Sequence, residues 1–228
     1  MIGVLDSGTG GENTLASLRV KAPLADVVFL RDEKNAPYGT KKREELVEIV
    51  AENIRILTRH GADSVLIACC TASCIWKYLP REQRDVSYPI IDAIARRAGE
   101  LTKSGKIAVI ATDATVRERA FSSRLHGVSV IERSAQILVD RIDRGLSDAS
   151  VTHSDRQIIN GILSPFEGSG CDTLILGCTH FPSLIGTFIE EGRKIGIKNT
   201  VSSSAEGAEV ILGVGGALLS GRGITVRI

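Results

Sequence analysis

The chain has no excess of charge of either sign: 28 basic residues stand against 27 acidic ones, and the basic ones are scattered along the sequence. A sequence-independent grip on nucleic acid or on an anionic membrane needs a concentrated positive face, so neither partner is expected. No basic segment precedes the first apolar run. Met1-Ile2-Gly3-Val4-Leu5 meets Asp6 at once and reads as an opening strand, not a signal peptide. The longest apolar stretch, near Val210 to Leu219, is too short to span a bilayer. The five cysteines, an odd number, suggest no disulfide framework and point to a reducing, cytoplasmic location. Low-complexity segments and long linkers are also missing. What is present is a 43% apolar chain of 228 residues, enough for one or two domains with real cores.

Short apolar runs alternate with amphipathic stretches. Ile2–Leu5, Val27–Leu30, Val65–Ala68, Ile107–Ile110, Val128–Ile131 and Thr173–Leu176 read as buried strands. Between them, Lys42–Arg59 places Leu46, Val47, Val50, Ile54 and Leu57 on one helical face. Strands apolar on both faces that alternate with helices imply an α/β fold with mainly parallel sheets flanked by helices.

One internal comparison adds to this. Gly61-Ala62-Asp63-Ser64-Val65-Leu66-Ile67-Ala68-Cys69 lies over Gly170-Cys171-Asp172-Thr173-Leu174-Ile175-Leu176-Gly177-Cys178 without a gap. Glycine, aspartate, a hydroxyl residue, three aliphatics, a small residue and cysteine recur in register. A similar opening strand precedes each copy, with Ile2 and Ile107 standing 67 and 71 residues before the following cysteine. Convergence on a common strand pattern is the competing explanation, since such patterns recur without shared function. The matching cysteines, each at the carboxyl end of its strand, favour two related halves, because open α/β sheets bind ligands there.

Each cysteine precedes an expected helix start. Thr71 or Ser73 suits a cap for a helix through Leu79, and Pro182 suits a first helical turn after Cys178-Thr179-His180-Phe181. A thiol beside a helix N-terminus is expected to favour its thiolate, starting from a free value of about 8.5. Inverting a carbon centre by proton transfer needs a base on one face and an acid on the other, with roles exchanged in reverse. Cys69 and Cys178, one per half, supply that symmetry. Hydroxyls and N–H groups in Ser7-Gly8-Thr9-Gly10-Gly11, Tyr38-Gly39-Thr40 and Cys178-Thr179 are candidate donors to the planar intermediate. Asp6 and His180 are candidate helpers that orient or relay protons to the thiols, against the alternatives of a turn cap and a structural imidazole.

The other thiols carry less. Cys70 follows Cys69, and neighbours on a strand point to opposite faces; a substrate contact, a buried hydrophobe and an oxidation-prone thiol are its open readings. Cys74, beside Trp76, reads as core. Cys171 and Cys178 stand seven residues apart at about 3.3 Å each, too far for one metal site, and Cys70 and Cys74 lack zinc spacing. No metal and no cofactor are expected. The glycines after the first strand could cradle a phosphate, although they match neither common nucleotide fingerprint.

Asp6-Ser7-Gly8-Thr9-Gly10-Gly11, Pro37-Tyr38-Gly39, Ala68-Cys69-Cys70-Thr71-Ala72-Ser73 and Leu176-Gly177-Cys178-Thr179-His180-Phe181-Pro182 resemble the glutamate racemases of the aspartate/glutamate racemase superfamily. The resemblance runs from residue 1 to about 185 and is looser beyond. It implies two α/β domains related by a pseudo-twofold axis, with the site between them. The first would comprise residues 1–92 plus 205–228, with a C-terminal helix returning to it, and the second residues 93–204. It implies that Cys69 and Cys178 are the paired acid/base thiols, assisted by Asp6 and His180. Asp6, Ser7, Pro37, Tyr38, Gly39, Cys70, Thr71, Thr115, Thr179 and His180 would hold a small amino-acid substrate. Asp32 would lie near the site. A homodimer and a role in supplying D-glutamate to peptidoglycan are further implications.

Departures from the family pattern bear on the substrate. Cys70 stands where the family usually has asparagine, and a thiol replaces poorly a group that both donates and accepts. Thr112-Asp113-Ala114-Thr115-Val116-Arg117-Glu118 lacks the family's serine, and no Cys-Pro pair precedes the helix near Ser134-Ala135-Gln136. The resemblance sets Asp143 against a family glutamate, and Val201–Ser204 replaces an Asp-Ser-Gly type segment. Aspartate or another amino acid, an inactive binding relative and a nucleotide-binding protein are the rival readings.

Overall fold

Ile2 and Val4 point into one apolar layer and Leu5 into another, and both layers are covered by helices. The computed structural model describes residues 1–204, 206, 209, 210 and 221–228. In the first lobe, β1 (Ile2–Asp6), α1 (Gly11–Lys21), β2 (Val27–Arg31), α2 (Arg43–Arg59), β3 (Ser64–Ile67), α3 (Cys70–Cys74), α4 (Arg81–Asp85) and β4 (Ser87–Pro89) follow in order. Helix α5 (Ile90–Leu101) leads into β5 (Lys106–Ala111), α6 (Asp113–Arg117), β6 (Ser129–Ser134), α7 (Gln136–Asp143) and α8 (His153–Leu163). The second lobe closes with β7 (Thr173–Gly177), α9 (Ile185–Lys194) and β8 (Asn199–Ser202), and β9 (Thr225–Arg227) pairs with β2 of the first sheet.

All strand pairs are parallel, and the sheet orders are β4-β3-β1-β2-β9 and β6-β5-β7-β8. Written from its other edge, the second sheet runs β8-β7-β5-β6, which repeats β4-β3-β1-β2. The register repeats as well. Ile2 lies opposite Ser64 and Ile107 opposite Thr173, the positions that the duplicated segments bring into line. The aspartate of each copy has a structural task. Asp63 accepts from the Met1 amino group at 2.6 Å, and Asp172 accepts from the N–H groups of Lys103 and Ser104, both at 2.8 Å. Each carboxylate thereby fixes the start of the neighbouring opening strand.

Strand alternation divides the core into three layers. Ile2, Val4, Leu66, Ile107, Val109 and Ile175 meet in a shared layer with α1 and α5. Val65 and Ile67 face the buried stripe of α2, whose Leu46, Val50, Ile54 and Leu57 occupy the expected positions. Ala108, Ile110, Leu174 and Leu176 face α7, α8 and α9. The strands that sequence patterning passed over, β4, β8 and β9, are three or four residues long and all lie at sheet edges, where little apolar surface is needed.

Helix α5, which contains residue 92 in its first turn, packs both on α3 and on β7 and β8. One helix expectation requires correction. Neither Thr71 nor Ser73 caps a long helix: Cys69 occupies the N-cap position, α3 ends at Cys74, and a short 3-10 turn follows at Trp76–Tyr78. The apolar stretch after Val210 and most of the expected C-terminal helix lie outside the described residues. Among the described residues, no helix is long and apolar enough to cross a membrane.

Candidate active site

Ser7 follows β1, Cys69 follows β3, Thr112 follows β5 and Cys178 follows β7, so four strand ends open on one place. There they line a cavity of about 170 Å³ to which both lobes contribute. The lobes meet closely at its rim. A side chain on Gly10 would put its Cβ 2.5 Å from the backbone of Thr179, and one on Gly39 would come within 2.2 Å of Gln136 Oε1. Arg43 of α2 pairs with Glu118 through Nη2 at 2.9 Å, and Thr71 Oγ1 lies 2.9 Å from Thr112 Oγ1. These contacts tie the first lobe to the second.

The two thiols have different neighbours. Cys69 Sγ lies 3.4 Å from Ser7 Oγ. Cys178 Sγ lies 3.5 Å from Nδ1 of His180, whose Nε2 lies 3.1 Å from Asp143 Oδ1. Thr9 also donates to that carboxylate oxygen, at 3.2 Å. Asp143 is half exposed and the two thiols are buried, so this chain of groups runs from a buried sulfur toward solvent.

Burial decides the protonation states. Cys69 is pushed up to about 11, chiefly by burial and then by the Asp6 charge, against N–H groups of Ala72 and Thr71 and the Ser7 hydroxyl. Burial also raises Cys178 well above its ordinary value, although the His180 N–H opposes it. The N–H groups that follow each cysteine do favour the thiolate, as expected, but burial outweighs them. A five-residue α3 cannot offset the loss of water around the sulfur. Asp6 is fully buried; burial lifts it to about 6, while the nearby His180 and the Gly8 N–H pull it down. Its Oδ1 accepts from Gly8 N at 2.9 Å, and its Oδ2 is buried without a hydrogen bond among the described residues.

The cavity wall includes Ser7, Pro37, Tyr38, Gly39, Cys69, Cys70, Thr71, Cys178, Thr179 and His180. Asp6 and Thr115 stand behind it. Thr115 is fully buried, with Oγ1 2.9 Å from Thr112 Oγ1, and Thr112 takes the place on the wall expected of Thr115. Cys70 begins α3 and faces the cavity together with Cys69, where neighbours on a strand would face apart; helical backbone removes strand alternation. Tyr38 gives its hydroxyl to Asp32 Oδ2 at 2.6 Å, and Asn53 Nδ2 donates to the same oxygen at 2.8 Å. Burial raises Asp32, but bonds from Tyr38, Asn53 and Asn35 outweigh it and leave the carboxyl below its ordinary value. Asp32 thus holds Tyr38 from behind.

Cys74 and Cys171 are buried in the apolar layers, away from the cavity. Among the described residues, no group of three or more His, Cys, Asp or Glu is arranged to hold a metal ion. Gln136, Val139 and Asp140 of α7 also line the cavity, and sequence reasoning did not single them out. The duplication could have located Thr112, which stands after β5 as Ser7 stands after β1. The face of α7 left no comparable signal, because its polar residues look like an ordinary solvated stripe.

Comparison with known proteins extends these observations. Residues 12–194 match the family model described as Asp/Glu/Hydantoin racemase. A curated glutamate racemase from Deinococcus radiodurans is 32% identical, over 96% of this chain and 77% of its own length. A solved glutamate racemase isoform from Bacillus anthracis superposes with a TM-score of 0.86 at 26% identity, covering all 100% of this chain and 86% of its own. The glutamate racemase from Francisella tularensis, solved in complex with D-glutamate, gives a TM-score of 0.84 at 26% identity, covering 93% of this chain and 80% of its own.

Proposed function

The chain belongs to the Asp/Glu/Hydantoin racemase family, and from that premise we propose that it interconverts L- and D-glutamate by proton transfer between two cysteines. One cysteine from each lobe on the wall of a single cavity is the observation that carries this proposal. One thiolate removes the Cα proton and the thiol opposite returns a proton to the other face; the roles reverse for the other enantiomer. No redox step and no cofactor enter this sequence.

Burial holds both thiols neutral in the free site, so substrate itself takes part in activation. An α-ammonium entering the cavity favours a neighbouring thiolate by its charge. Asp6, whose charge acts on Cys69, is the acceptor on that side once the substrate ammonium has lowered the thiol. On the Cys178 side, His180 and Asp143 provide a route toward solvent. Developing charge on the substrate carboxylate meets the hydroxyls of Ser7, Thr71, Thr112 and Thr179.

D-Glutamate made in this way serves peptidoglycan synthesis in the cytoplasm, with a homodimer as the proposed assembly. Cys70 on the wall, where the resembling family has asparagine, favours a second reading in which another amino acid is preferred. Incubation with either enantiomer of glutamate in D2O, without cofactor, tests the activity by loss of the Cα–H signal and by optical rotation. Exchange with racemisation is expected. Silence with glutamate but exchange with aspartate or another amino acid would shift the substrate, and silence throughout would end the enzyme reading.

A further inference from the structure

We propose that Gln136 binds the far end of the substrate's side chain, its amide nitrogen donating to the terminal carboxylate; this rests on the two-thiol racemase reading. Helix α7 presents Gln136, Val139, Asp140 and Asp143 to the cavity. That spacing is a single helical face. Leu138 and Ile142 occupy the other side, in the core of the second lobe.

The two ends of this face do different things. Asp143 touches His180, which touches Cys178, so the C-terminal end of α7 lies beside the reacting carbon. Gln136 stands seven residues earlier, about 10 Å along the helix axis. An amino acid whose Cα sits between the thiols can extend its side chain in that direction, along the cavity face of α7.

Neither end of the Gln136 amide has a hydrogen-bond partner among the described residues. Its Oε1 is buried without one, packed where a Gly39 side chain would stand 2.2 Å away. Its backbone N donates to Ser134 Oγ at 3.3 Å, so the main chain is held while the side-chain amide is not. Gln136 is half-buried in the cavity wall, and with its oxygen packed away its amide nitrogen is left open to a ligand acceptor. With Oε1 turned against Gly39, Nε2 is the donor that remains. Among the described residues no lysine or arginine lines the cavity, so a side-chain carboxylate there meets neutral donors such as this one.

The near-isosteric Gln136→Glu and the apolar Gln136→Leu test this through steady-state kinetics with glutamate. Loss of a hydrogen bond to a charged group should raise KM about tenfold or more in Q136L, and further in Q136E, where two carboxylates face each other. In both, kcat should stay within about threefold, because the contact is made equally in ground and transition states. If Q136E leaves KM within about twofold of the parent, or lowers kcat without changing KM, the assignment is overturned. Thermal unfolding of Q136E within a few degrees of the parent separates substrate contact from packing, whatever happens to Q136L. Failure of the racemase reading is distinct: the unmodified protein would then show no Cα–H exchange at all.

Discussion

Nε2 of His180 lies 3.1 Å from Oδ1 of Asp143, so one imidazole links the Cys178 sulfur to a half-exposed carboxylate contributed by α7. The duplicated half has no counterpart: two residues after Cys69 stands Thr71. Related halves have therefore diverged around their thiols. Asp143→Asn should lower kcat about tenfold or more, toward the range of general acid–base effects. Because the equilibrium constant between enantiomers is one, kcat/KM must fall equally in both directions. Polarimetry started from each enantiomer checks both statements, and an unaltered kcat would remove Asp143 from the relay.

Cys69→Ala and Cys178→Ala should each abolish racemisation while leaving substrate binding. Each variant should retain Cα–H exchange with one enantiomer only, and the two should retain opposite ones. Proton NMR in D2O with separate enantiomers makes the comparison. Racemisation at the parental rate in either variant would break the pairing.

Asp6 gives a pH-dependent stability with a definite sign. Its folded value of about 6 is raised from the ordinary 3.8, so its contribution to stability is fully present below about 3.8 and is lost as pH rises through about 6. That difference corresponds to roughly 3 kcal/mol at pH 8. Asp6→Asn should recover much of it, unfolding at a higher temperature than the parent at pH 8 and at a similar one at pH 4, while losing most racemase activity. Equal unfolding temperatures at pH 8 would mean that burial does not strain this carboxylate.

Gly10→Ala tests how tightly the lobes close. Its Cβ would lie 2.5 Å from backbone of Thr179, which cannot rotate away. The lobes must separate or the loop must shift, at a cost of about 1–3 kcal/mol. Lower thermal stability together with a raised KM is expected. A variant equal to the parent in both would show that the approach at Gly10 is not required for closure.

Much of this arrangement was legible beforehand, and for a physical reason. Buried parallel strands need unbroken aliphatic runs, so β1, β2, β3, β5 and β7 were visible; β6 was read as buried too but lies half-exposed at a sheet edge, and the short edge strands β4, β8 and β9 were not seen. Residues just after the central strands, such as Ser7, Cys69 and Cys178, could be named because strand ends converge in such sheets. Thr115 was exchanged for Thr112 because a helical turn brings positions three residues apart onto neighbouring places, and only packing decides which faces the cavity.

The order of apolar and polar residues alone determined the α/β class, the duplication and the two thiols that chemistry of this kind requires. Only the tertiary structure decided that these thiols are held neutral, that His180 reaches Asp143, and that one face of α7 forms a cavity wall. Proton affinity and contact depend on which groups lose water together, and that is a property of the packed chain.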